Sequence, residues 1–262
     1  MHRRQRKIKT DTVQPFLSIV IPAYNEERRL PGSLEKVLSF LQTRDYPAEV
    51  IVVDDGSTDN TVGIVEGFMA RYPFVSIIKN DHRGKGYAVR TGMLAARGTY
   101  VLFSDADLAT PIGEVDRLLA FLGDGYDIAI GSREGLGAQR INEPGYRHLM
   151  GRVFNLLVRL MAVGGFQDTQ CGFKCFLDQA AIDLFSVQQL DGWTFDVEVL
   201  YIALKRGYRI REIPIPWYHI PGSRIRVLPD SMAMFMDLFT IRRNWRRGEY
   251  ARKQADAAVS DG

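Results

Sequence analysis

The sequence predicts an α/β fold: a mostly parallel central sheet flanked by helices. Three observations carry that expectation. Short apolar runs rich in Val and Ile recur through the first half of the chain. They alternate with longer segments whose apolar positions repeat at helical spacing. Polar clusters follow directly after several of the runs. Ligands gather at the C-terminal ends of the strands in parallel sheets covered on both faces.

Taken in order, residues 16–21 read as a buried strand stopped by Pro22. Residues 30–43 carry Leu34, Val37, Leu38 and Leu41 at helical spacing. Residues 50–53 form a second strand, 58–72 a helix, 75–78 a third strand and 86–97 a helix. Residues 100–103 form a fourth strand, and 111–122 a helix with Pro111 in its first turn, where the missing N–H costs nothing. Residues 128–130 make a fifth strand. The second half is less regular. Residues 145–163 read as a long apolar helix and 195–206 as another, followed by a strand near 209–215. Residues 232–247 read as an amphipathic helix, with Met234, Leu238, Ile241 and Trp245 on one face, widened by Phe235 and Phe239, and Arg243 and Arg247 opposite. Three units are expected: a basic tail over 1–15, a main α/β domain over 16–230, and a C-terminal helix with a basic tail over 231–262.

The 262 residues suffice for one full hydrophobic core. A net charge of +3 is too small for a nucleic-acid protein, and no aromatic-basic platform is present. Two cysteines, Cys171 and Cys175, exclude a disulfide framework and suit a reducing compartment. No apolar run approaches the roughly 20 residues of a membrane span, and no apolar signal core follows the basic N-terminus.

The chemistry concentrates at Asp105-Ala106-Asp107, where an apolar run ends in two carboxylates. Residues two apart on a strand point the same way, so both can address one hard divalent cation. The alternative is a surface turn that caps the following helix. Asn25-Glu26 and Asp54-Asp55 also follow strands, which places three polar clusters at one sheet edge. Asp54-Asp55-Gly56-Ser57-Thr58 can accept hydrogen bonds from a base and ribose, while Ser57 or Thr58 caps the next helix. Arg83-Gly84-Lys85-Gly86 opens a helix with two cations, which suits a phosphate. Neither the dinucleotide glycine pattern nor the P-loop is present. Downstream, Gly131-Ser132-Arg133, Arg147, Asp168 to Lys174, and Trp193 to Glu198 supply further polar groups in apolar surroundings.

Ile21-Pro22-Ala23-Tyr24-Asn25-Glu26, Val52-Val53-Asp54-Asp55-Gly56-Ser57 and Asp105-Ala106-Asp107 together resemble family-2 glycosyltransferases of the GT-A, or nucleotide-diphospho-sugar transferase, fold. Arg83 to Gly86, Asp168 to Lys174, Trp193 to Glu198 and Gly222-Ser223 resemble the dolichyl-phosphate (polyprenyl-phosphate) β-glucosyltransferases most. The resemblance covers roughly residues 16–245 and implies transfer of a sugar from a nucleotide diphosphate to a lipid phosphate with inversion. Mannosyl-transferring relatives carry Gln where this chain has Ala109 followed by Thr110, so UDP-glucose is expected over GDP-mannose.

By the same resemblance, Pro22, Tyr24, Glu26, Asp54, Asp55, Lys85 and Asp105 hold the nucleotide. Asp105 and Asp107 hold Mg²⁺ or Mn²⁺, and Asp107, Arg133 and Arg147 are catalytic. The two arginines match the acceptor-phosphate positions. Asp168, Gln170, Lys174, Trp193, Asp196 and Glu198 face acceptor or sugar. The family's hydroxyl four residues after the second arginine is replaced by Gly151, and the N-terminal membrane anchor of the eukaryotic enzymes is not expected here. Peripheral attachment on the cytoplasmic face of a membrane is therefore expected, with the helix over 232–247 as the candidate attaching element; the alternative is that its apolar face packs on the domain core. A mannosyl enzyme, a transferase for another acceptor and a nucleotide-sugar binder without turnover are the alternatives.

Overall fold

The computed structural model describes residues 14–142, 145, 158, 162–220 and 227–251. Strands β1 (Leu17–Ala23), β2 (Ala48–Asp54), β3 (Val75–Lys79), β4 (Tyr100–Ser104) and β5 (Ile128–Ser132) alternate with helices α1 (Leu30–Gln42), α2 (Thr61–Met69), α3 (Lys85–Ala95) and α4 (Val115–Gly123). After a short strand β6 (Gln139–Ile141) come β7 (Phe173–Leu177), α5 (Asp178–Phe185) and α6 (Phe195–Lys205). Strands β8 (Ile210–Pro214) and β9 (Pro216–Tyr218) and helix α7 (Val227–Arg246) complete the described elements.

The main sheet has seven strands in the order β3-β2-β1-β4-β7-β5-β8. Only β7 runs against its neighbours, pairing antiparallel with β4 and β5. Strand β1 is buried along its whole length, as a central strand covered on both faces must be. Its residues alternate between two cores. Leu17, Ile19 and Ile21 pack with α1, α2 and α4, whereas Val20 packs with α3, α5, α6 and α7. Each such fully buried Leu or Ile side chain contributes roughly 1.5–3 kcal/mol.

The structure corrects several expectations. Pro22 does not stop β1: it pairs with Val53 of β2. It is tolerated because the pairing with β4 ends earlier, at Val20 and Phe103. Helix α2 begins at Thr61, so neither Ser57 nor Thr58 caps it. Instead Ser57 Oγ accepts the Asn25 N–H at 2.8 Å, and the Thr58 N–H donates to Asn25 Oδ1 at 2.7 Å. The helix expected over 232–247 begins at Val227, so a boundary at 230 falls inside it. Its residues Leu238 and Ile241 belong to the same core as the sheet, and Tyr201 and Trp245 meet edge to face. The expected helix over 145–163, with Arg147 and Gly151, and the Gly222-Ser223 pair lie outside the described residues or largely so. No helix among the described residues is long and apolar enough to cross a membrane.

Candidate active site

Strands β2, β1 and β4 lie side by side and parallel, so Asp54, Tyr24 and Asp105 emerge at one edge of the sheet. Because β7 is antiparallel, its first residue, Phe173, sits opposite Ser104 at the end of β4. The segment leading into β7, with Asp168 and Gln170, therefore reaches the same edge. So does the start of α6, as its partners show below.

Asp54 and Asp55 divide the work of the first turn. Asp54 Oδ2 accepts the Ser57 N–H at 3.1 Å, while its Oδ1 is buried with no donor among the described residues. Asp55 is engaged by the protein itself. Its Oδ1 accepts the Arg83 N–H at 3.0 Å, and its Oδ2 accepts the Gly84 N–H at 2.9 Å. His82 Nδ1 lies 2.7 Å from Asp55 Oδ2, which only accepts, so Nδ1 carries the proton. Asp55 thus shapes the turn that starts α3, and Asp54 is the carboxylate with an acceptor left for a ligand. Gly84 is required in that turn: its φ is +125°, and a Cβ would stand 2.6 Å from the Asp191 carbonyl oxygen. The Tyr24 and His82 rings stack with centroids 4.1 Å apart, forming a flat wall beside the turn.

Asp105 and Asp107 lie beyond the end of β4, in a turn rather than on the strand. Strand alternation therefore does not align them. The turn does: the Leu108 N–H donates to the Asp105 carbonyl at 3.1 Å, Leu108 takes a φ of +48°, and the Ala109 N–H donates to Asp107 Oδ1 at 3.1 Å. Each acid then has its own cation beside it. Lys85 Nζ lies 2.5 Å from Asp105 Oδ1, and an Arg29 nitrogen lies 3.7 Å from Asp107 Oδ2. Arg29 is held from behind by a double contact with Glu26. Burial raises the Asp107 carboxyl above its ordinary value, and the neighbouring Asp105 charge raises it further. Gly172 permits this packing, since a Cβ there would overlap the Asp105 carboxylate.

This donor set fits a hard divalent ion. Two carboxylates that repel one another at a partly buried turn would be relieved by it. Among the described residues no third acid, His or Cys completes a metal-holding group. The remaining ligands would have to come from a bound substrate and water.

Behind the pair lies a buried chain of charges. Lys174 Nζ donates to Asp196 Oδ1 at 2.6 Å and to the Cys171 carbonyl at 2.6 Å. Burial opposes the charge on Lys85, but Asp105 and Asp196 outweigh it, and its ammonium is held above the usual range. Trp193 lies over the same ammonium, 5.6 Å from ring centroid to Nζ. On the far side, Asp168 is completely buried. It clasps Arg133 through Nε at 2.6 Å and Nη2 at 2.8 Å, and also accepts the Arg133 backbone N–H at 3.0 Å. Burial would raise the Asp168 carboxyl, yet Arg133 overcomes that and holds it well below the ordinary range. The Gln170 N–H donates to Asp168 Oδ1 at 3.1 Å.

Not every residue singled out from the sequence joins this arrangement. Glu198 is fully buried, and its carboxylate accepts the Gln189 and Leu190 N–H groups at 3.0 and 2.9 Å and the Tyr250 hydroxyl at 2.7 Å. It braces the loop before α6 against the C-terminal segment rather than facing a ligand. Conversely, Arg29 and His82 went unassigned. Arg29 had one sequence signal, its place one helical turn after Glu26. His82 had none beyond its position next to the Arg83 to Gly86 block.

A model of the family described as "Glycosyl transferase family 2" matches residues 18–183. The chain belongs to this family. As a family-2 glycosyltransferase it shows the expected GT-A fold, an α/β domain with a mostly parallel central sheet. It is 38% identical over 261 residues to the dolichyl-phosphate beta-glucosyltransferase of Homo sapiens, covering 93% of this chain and 80% of that one. It is 41% identical over 244 residues to the protein of the same name from Drosophila melanogaster, covering 86% and 74%. The Saccharomyces cerevisiae protein of that name is 38% identical over 261 residues, covering 92% and 78%. Among solved structures, glucosyl-3-phosphoglycerate synthase from Mycobacterium tuberculosis in complex with UDP superposes with a TM-score of 0.63 at 19% identity, covering 100% of this chain and 90% of that one. The same enzyme with Mn²⁺, UDP-glucose and phosphoglyceric acid gives 0.62 at 19% identity, covering 94% and 84%. At that identity the likeness speaks for the fold.

Proposed function

We propose that this glycosyltransferase moves glucose from UDP-glucose onto a polyprenyl phosphate, with inversion at the sugar carbon, at a membrane surface. The observation that carries the reading is the likeness to dolichyl-phosphate beta-glucosyltransferases along nearly the whole chain. The geometry supports it. A nucleotide diphosphate needs cations where its charge grows as the sugar leaves, and Lys85 and Arg29 flank the Asp105/Asp107 pair. Mg²⁺ or Mn²⁺ held by those two carboxylates would act as a Lewis acid on the diphosphate oxygens. Asp54 Oδ1 is a buried acceptor suited to the imide N–H of uracil. Tyr24 and His82 offer the wall beside it.

The acceptor needs aim rather than activation. A phosphate monoester has a second pKa of about 6, so its nucleophilic oxygen is ionised at neutral pH and no strong base is required. Arg133 is assigned to that phosphate, its guanidinium plane fixed by Asp168. Arg147 is assigned with it. Trp193, Lys174, Asp196 and Gln170 line or support the sugar and acceptor side.

The deciding experiment crosses UDP-glucose and GDP-mannose with polyprenyl phosphates of several lengths and follows radiolabelled lipid. Glucosyl lipid should form in the presence of Mg²⁺ or Mn²⁺ and not in excess chelator. Preferential use of GDP-mannose would reverse the donor assignment, and transfer only to a soluble acceptor would reverse the other half. Arg133→Lys tests the acceptor site while keeping a charge against Asp168. Lysine lacks the fork, so one charge-assisted contact of roughly 1.5–3 kcal/mol is lost and the KM for lipid phosphate should rise at least about tenfold. UDP affinity should stay nearly constant; an equal loss there would place Arg133 on the donor diphosphate.

A further inference from the structure

Helix α7 carries two apolar faces, and only one is used by the fold. Met234, Leu238 and Ile241 are buried against the core, and Trp245 lies against Tyr201. Asp237, on the flank, accepts the Thr194 hydroxyl at 2.7 Å and fixes the helix to the start of α6. The helical repeat then sets Met232, Met236 and Phe239 on the opposite side, in successive turns. They are 64%, 57% and 49% exposed. One or two turns further along the same side stand Arg243, Arg246 and Arg247, all exposed, with Arg242 beside them. Phe239 and these four arginines line a shallow cavity of about 500 Å³. No acid lies on this face between Met232 and Arg247.

The apolar face marked out by the sequence periodicity is thus the one packed on the core, and a different face stands outward. We infer that this outward face, Met232-Met236-Phe239 with the Arg242 to Arg247 cluster, docks on an anionic lipid surface. Three adjacent apolar side chains can enter the headgroup and acyl boundary, as on helices that lie in the interface plane. The arginines meet lipid phosphates there, and guanidinium forks suit phosphate oxygens. Charge complementarity singles out the anionic bilayer over a second copy of the chain, because two copies face to face would bring eight arginines together. The inference deepens the membrane-surface part of the proposed function and rests on it.

The test is sedimentation of the full chain with vesicles of phosphatidylcholine alone and of phosphatidylcholine with phosphatidylglycerol in equal amounts, both free of polyprenyl phosphate. The wild type should sediment with the anionic vesicles, be released by salt, and stay in solution with the neutral ones. The variant Arg243→Gln/Arg246→Gln/Arg247→Gln should lose roughly 100-fold in partitioning. Met232→Ser/Met236→Ser/Phe239→Ser should lose binding while UDP affinity is kept. Should a variant misfold, the wild type gives the same answer: anionic vesicles should slow peroxide oxidation of Met232 and Met236. Wild-type failure to sediment, variants that bind as well as wild type, or unchanged methionine oxidation overturns the inference. So does a chain that dimerises through this face and ignores vesicles. Since these vesicles hold no acceptor, docking is read apart from the reaction: binding here with no glucosyl lipid formed in the separate radiolabelled assay would sink the proposed reaction and leave the docking face standing. Transfer without vesicle binding would do the reverse.

Discussion

Asp107→Ala is expected to lower sugar transfer by roughly 1000-fold, the order seen when a preorganised charge-stabilising contact is lost. Its effect on stability should be nil or slightly favourable. Asp107 stands in a turn, beyond the last paired residue of β4, and no backbone of the sheet depends on it. Its carboxyl is already raised by burial and by the Asp105 charge, so removing it relieves a repulsion. The only described hydrogen bond lost is that from the Ala109 N–H. Activity and folding should therefore separate: turnover falls by that factor, with the melting temperature unchanged or higher. Titration of Mn²⁺ and UDP into the variant should show weaker joint binding. Wild-type turnover in this variant would remove the carboxylate pair from the chemistry. A loss of turnover that tracks a fall in melting temperature would reassign Asp107 to the fold.

Much of this site was legible in the sequence, because strand ends can be read locally. An apolar run followed by acids marks the C-terminal edge of a parallel sheet, and Glu26, Asp54 and Asp105 obey that rule. Legibility ended where pairing became non-local. Strand β7 sits between β4 and β5 in space but follows β6 by some thirty residues in the chain. Nothing in Phe173 to Leu177 announces an antiparallel insertion. The insertion matters, since it carries Lys174 and Gly172 to the edge where Asp105 waits. The three-residue strands β6 and β9 and the short helix α5 are too brief for periodicity to register. The division of labour between Asp54 and Asp55 was equally hidden. Adjacent identical residues look equivalent in sequence, and only the Arg83-Gly84 backbone decides which one is spent on the protein. In α7 the periodicity gave the face containing Leu238 correctly but could not say whether lipid or the sheet would cover it. The packing of Leu238 and Ile241 into the core answers that.

Lys174→Met is expected to destabilise the fold by about 3–5 kcal/mol, the usual cost of stranding one partner of a buried ion pair. For a chain of this size that is a fall in melting temperature of roughly 10 °C. Lys174 is 1% exposed and Asp196 4%, so neither can turn to water when the other is lost. Burial raises the Asp196 carboxyl above its ordinary value even with Lys174 and Lys85 beside it. Without Lys174 it must take up a proton or draw Lys85 away from Asp105. The second course couples the pair to the site: Asp105, Lys85, Asp196 and Lys174 alternate in sign, and Lys85 is shared between the two acids. The double variant Lys174→Met/Asp196→Leu separates the two roles. Buried pairs replaced by apolar groups of similar volume are often neutral or stabilising, so it should regain most of the lost stability. Transfer should nonetheless remain depressed, because Lys85 would then answer to Asp105 alone and sit deeper against the carboxylate pair. Recovery of both stability and turnover in the double variant would show that the pair only fills the core. A single variant as stable as wild type would contradict the burial on which the coupling depends.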